Sequence, residues 1–80
     1  DEANRKIVKD IRERMDAVLK VMDQKERDNI QIRDHEREEE VKEQFEDLFE
    51  KKNLPKGRGE ELAEVLIETA VDIQKDVLDR

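Results

Sequence analysis

Both glycines and the single proline of this 80-residue chain fall within residues 53–59, Asn-Leu-Pro-Lys-Gly-Arg-Gly, so its strongest helix breakers are confined to one short segment. On either side, apolar residues recur at spacings of three and four. Val8, Ile11, Met15, Val18 and Met22 share one helical face, widened by Ile7 and Leu19. Val41, Phe45, Leu48 and Phe49 share a second face. Leu62, Leu66, Ala70, Ile73 and Val77 form a third, with Ile67, Val71 and Leu78 beside it. Charged residues are 51% of the chain and hydrophobic ones 34%. That balance describes disorder when apolar residues are scattered, whereas their periodicity here predicts folded helices.

The first helix is expected over about residues 3–26. No glycine or proline separates it from the second, so a single long helix is the alternative. Two features favour a turn at Asp28-Asn29. Asp28 with Gln31 fits a capping box, and the apolar face after Val41 sits roughly 120° around from that of the first helix, at ~100° per residue. The second helix is therefore placed at about 30–52. Asn53 suits a left-handed C′ position, and Pro55 cannot continue a helix. Glu60 and Glu61 suit the positive end of a third helix, at about 60–79. The expected fold is all-α: one domain over residues 1–80, an antiparallel (up-down-up) three-helix bundle.

Composition narrows the functions. A net charge of −7 opposes nucleic-acid binding, and Phe45 and Phe49 are the only aromatics available for stacking. No apolar run approaches the ~18 residues of a membrane span, and no apolar leader is visible, so a soluble, cytoplasmic protein is the default. The absence of cysteine excludes disulfides and thiolate metal sites.

Candidate chemistry is sparse. His35, the only histidine, shares a helical face with Glu38 and Glu39 in the run Asp34-His35-Glu36-Arg37-Glu38-Glu39-Glu40, which reads as a solvated charged face rather than a metal site. Asp23 to Asp34 has the length of a calcium loop, but Lys25, Arg27 and Asp28 occupy positions that need ligands and a glycine. Lys51, Lys52, Lys56 and Arg58 read as capping and solubilising cations, and Gly57 and Gly59 lack the rest of a phosphate loop. Pairs such as Glu36/Glu40 and Glu39/Glu43 are unavoidable among 24 acids. Phe45, Leu48 and Phe49 read as core rather than as a docking face. Thr69 is the sole hydroxyl residue, so nucleophilic catalysis lacks its parts. These residues predict no enzyme: no catalytic, cofactor-binding or metal-binding residues, no cofactor and no evident small-molecule substrate.

Charged residues on outer positions, aliphatic ones on inner positions, glycine and proline confined to one loop, and no Cys, Trp or Tyr together give a chain that resembles a computationally designed (de novo) helical bundle. The resemblance implies a structural scaffold with no evolved biochemical activity. The alternative is an acidic helical protein-binding module or coiled-coil-type interaction domain. A monomer is favoured, with a homodimer as the alternative because residues 33–40 offer the core no apolar side chain.

Overall fold

The computed structural model describes residues 1–24 and 32–79. They form three helices: α1 (Glu2–Asp23), α2 (His35–Lys51) and α3 (Arg58–Leu78). The all-α three-helix architecture is the one that the periodicity predicts. No helix among the described residues is long and apolar enough to cross a membrane.

Each helix begins where a carboxylate meets free backbone N–H groups. Asp1 caps α1 by accepting from Asn4 N at 3.1 Å. Asp34, in extended conformation, caps α2 by accepting from Arg37 N at 3.2 Å. The second helix therefore starts at His35, not at Ile30. The expected cap and turn at Asp28-Asn29 lie outside the described residues. α3 starts at Arg58, two residues before the expected Glu60. Its N-cap, Gly57, has φ 88° and no side chain to offer. The Glu46 carboxylate of α2 takes that role, accepting from Gly57 N and from Glu60 N, both at 3.1 Å.

The end of α2 follows the expectation for Asn53, which is left-handed at φ 58°. Leu54 N donates to Phe49 O and Asn53 N to Glu50 O, the paired bonds of a Schellman motif.

Packing centres on α3, against which both other helices lie. Gly59, Ala63, Leu66 and Val71 are buried on it, Val41 on α2, and Met15 and Met22 on α1. This shifts the expected α3 seam. Leu62 and Val65 are exposed, while Ala63 is fully buried and the α2 backbone lies so close to Gly59 that a Cβ there would meet it. The first ten residues of the chain, Ile7 and Val8 included, are exposed. The radius of gyration is 14.1 Å, against about 12 Å for a compact chain of this length. The bundle is accordingly less compact than that, and it carries a cleft.

Candidate active site

The cleft lies where the three helices diverge and has a volume of about 430 Å³, within the range of small-molecule sites. α1 contributes Arg14, Ala17, Val18 and Val21. Ile32 and Asp34 come from the segment before α2, and Arg37, Glu38 and Val41 from α2 itself. α3 supplies Leu66, Ile67, Ala70, Val71 and Gln74. The walls are thus aliphatic, with a few polar groups set among them.

Those polar groups are two cations, Arg14 and Arg37, two acids, Asp34 and Glu38, and the Gln74 amide. The Arg14 guanidinium lies 5.4 Å from the centroid of the Phe45 ring, a stacking distance that orients it. Among the described residues no carboxylate pairs with Arg14. Among the described residues the Arg37 side chain makes one ion pair, Nη1 to Glu40 Oε2 at 3.1 Å, and remains largely exposed. Glu38 is only 13% exposed and is held by Arg33, which donates to both its oxygens at 2.7 and 3.2 Å. That bidentate pair keeps the Glu38 carboxyl below the ordinary range despite its partial burial. Gln74 has a fully buried Oε1 with no hydrogen-bond partner. Since amide O and N exchange places by a half-turn of the side chain, Gln74 offers the cleft an uncommitted donor or acceptor. Two guanidiniums, an unpaired carboxamide and aliphatic walls suit a small anion of mixed polarity.

The residues singled out from sequence lie elsewhere, with one exception. His35 is 85% exposed, and its Nδ1 stands 3.8 Å from Glu38 Oε1, an oxygen already engaged by Arg33. Among the described residues no group of three or more His, Cys, Asp or Glu converges on a point that could hold a metal. Most of the Asp23–Asp34 window lies outside the described residues. Lys51, Lys52 and Lys56 are exposed, and Arg58 pairs with Glu61 at 2.7 Å. A second hollow of about 520 Å³ beneath the α2–α3 loop offers only Lys56 as a cation, against Glu46 and Glu50. Its Glu46 carboxylate is already spent on the α3 N-terminus. Glu40 and Glu39 are paired with Arg37 and Lys42 on the surface. Phe45 and Phe49 are half-buried and Leu48 is exposed. Within the run from Asp34 to Glu40, three residues do line the cleft: Asp34, Arg37 and Glu38. Arg14 and Gln74 were not singled out at all.

Glu46 also sets how the fold responds to acid. The backbone N–H groups at the start of α3 hold its carboxyl below the ordinary value, as Arg33 does for Glu38. A depressed folded-state pKa contributes stability that is present above the unfolded value and is lost as pH falls through the folded one. Melting temperature is therefore expected to be flat from neutral pH down to about pH 5 and to drop below it. Glu46→Gln should lower the neutral-pH melting temperature and flatten the acid drop. An unchanged acid limb in Glu46→Gln would show that this cap is not formed in solution.

A family model described as Chorismate mutase type II matches residues 1–75. No curated protein and no solved structure matches the chain. The family match corrects the sequence reading at four points. The chain is not a de novo design without a natural family. Neither scaffold nor protein-binding module describes its function, and an enzymatic family replaces the expectation of no enzyme. The expectation that no small-molecule substrate is evident falls as well, since the family acts on one.

Proposed function

The chain belongs to the chorismate mutase type II family, and we propose that its three-helix cleft isomerises chorismate to prephenate. The observation that carries this reading is the meeting of Arg14, Arg37 and the unpaired Gln74 carboxamide on one aliphatic cleft. Chorismate is a small dicarboxylate with an enol ether and a ring hydroxyl. Two guanidiniums match its two carboxylates, and Glu38, like Asp34, is a carboxylate acceptor on the lining for a hydroxyl. The carboxamide suits the ether oxygen.

The chemistry also explains why the sequence lacks the residues of a nucleophilic enzyme. The reaction is a unimolecular rearrangement: the ether C–O bond breaks as a C–C bond forms between the two ends of the same molecule. No proton moves and no covalent enzyme intermediate forms. Serine, cysteine and a general base are therefore unnecessary. What accelerates such a step is holding the side chain over the ring and stabilising the negative charge that develops on the departing oxygen. The arginines serve the first need by gripping both carboxylates. A Gln74 N–H serves the second. The aliphatic walls exclude water and strengthen both interactions.

Purified protein is expected to consume chorismate with saturable kinetics and without added cofactor, followed by the loss of chorismate absorbance. Arg14→Ala should lower kcat/KM by roughly tenfold to a hundredfold, through weaker capture of a carboxylate. A folded chain that leaves the uncatalysed rate unchanged would reject the activity.

A further inference from the structure

Arg33 does not line the cleft, yet it touches two of the three helices that do, α2 and α3. It sits in the non-helical stretch just before α2, flanked by the cleft residues Ile32 and Asp34. Its Nη2 and Nε reach Glu38 at 2.7 and 3.2 Å, and its Nη1 reaches Glu68 of α3 at 3.0 Å. One side chain thus joins the segment entering α2, the cleft-facing carboxylate of α2 and the outer face of α3. Both Glu38 oxygens are engaged, so the carboxylate plane is fixed.

We infer that Arg33 is a positioning residue of the site: it orients the Glu38 carboxylate and clips the Ile32–Asp34 wall to α3 through Glu68. This rests on the chorismate reading for its catalytic consequence, but its structural content stands apart. Arg33 also neutralises a carboxylate that would otherwise face a dianionic ligand. The other charged groups around Glu38 are His35 and Arg37 on α2, Asp34 before it, Glu68 on α3 and Arg14 across the cleft on α1. Of these, His35 is 3.8 Å from Glu38 and largely exposed. Among the described residues, Arg33 is the side chain that donates to both Glu38 oxygens.

The test compares the parent, Arg33→Ala, Arg33→Lys and Glu68→Gln, with circular dichroism confirming that each is helical. Two quantities are read: the titration of the Glu38 side-chain carboxyl by carbon-detected NMR, and the pH profile of kcat/KM for chorismate. Arg33→Ala should move the Glu38 titration and the acid limb of the profile upward together, by about one pH unit. It should also raise KM at neutral pH roughly tenfold, because uncovered carboxylates repel the substrate. Ionisation of chorismate itself is common to all variants and cancels in the comparison. Arg33→Lys should recover part of the shift, since an ammonium restores the charge but not the two-pronged contact. Glu68→Gln should leave the Glu38 titration near its parental position while raising KM.

Identical Glu38 titrations in parent and Arg33→Ala would overturn the inference. So would a lowered kcat/KM in Arg33→Ala with no movement of the acid limb, which would mark Arg33 as merely structural. A Glu38 titration that moves as expected in a parent without activity would support the hold on Glu38 and sink the chorismate reading instead.

Discussion

Gly59→Val is expected to abolish the cooperative thermal transition, and Gly59→Ala to lower the melting temperature by about 10 °C or more. A Cβ at Gly59 would lie 2.5 Å from Phe45 O, 2.8 Å from Phe45 C and 2.9 Å from Glu46 Cα. All three are backbone atoms of α2, so no side chain can swing away, and the helices themselves must separate. Overpacking of this kind costs about 1–3 kcal/mol or more, a large share of the roughly 4–12 kcal/mol available to a chain of this size. Separation would also draw Glu46 away from Gly57 N and Glu60 N, leaving the first turn of α3 uncapped. Helix propensity points the other way, since alanine is favoured over glycine inside a helix by about 1 kcal/mol. The sign of the Gly59→Ala shift in a calorimetric melt therefore discriminates. A stabilised variant would mean that α2 and α3 do not touch at this point.

The same close approach shows why part of the fold was not legible in the sequence. Large apolar residues at spacings of three and four were enough to place three helices, and the end of α2 at Asn53 followed from local chemistry. The α3 seam did not, because Gly59 and Ala63 carry almost no hydropathy of their own. Gly59 matters through the α2 backbone that it admits. Glu46 was equally hidden: it caps a helix whose first N–H groups lie 11 and 14 residues further along the chain, beyond any local capping pattern. The start of α2 was misplaced because Asp28 and Asp34 are both competent caps. Only the bond from Arg37 N to Asp34 reveals which one is used at His35.

The cleft left a fainter signal. Arg14 stands three residues after Ile11 and four before Val18, and Gln74 three after Val71 and four before Leu78. Each is a polar residue on an apolar stripe, and such an interruption signals either a defect in the core or a group aimed at a ligand. Neither Arg14 nor Gln74 is a nucleophile, a general base or a metal ligand, so neither stands out by residue type. A rearrangement driven by grip and charge stabilisation needs none of these. A chain without serine or cysteine is therefore poor evidence against an enzyme when the reaction moves no proton.

Gln74 supplies the prediction that separates a catalytic group from a structural one. Gln74→Leu keeps the side-chain volume close to the original and removes the only side-chain amide among the described residues on the cleft wall. If Gln74 donates to the ether oxygen, its hydrogen bond strengthens as the C–O bond breaks and charge gathers there. Losing one such donor lowers kcat by about 10²–10³-fold. KM should change little, because the interaction is made mainly in the transition state. Stability should move in the opposite direction. The buried Oε1 has no partner in the free protein, and an unsatisfied buried polar atom costs about 1–3 kcal/mol. Replacing it with a methyl group is thus expected to raise the melting temperature while the rate collapses. Steady-state kinetics and a thermal melt on the same preparation read both. A variant with a lowered melting temperature and a matching loss in all kinetic constants would assign Gln74 to packing. A stabilised protein that retains parental kcat would remove it from the chemistry altogether.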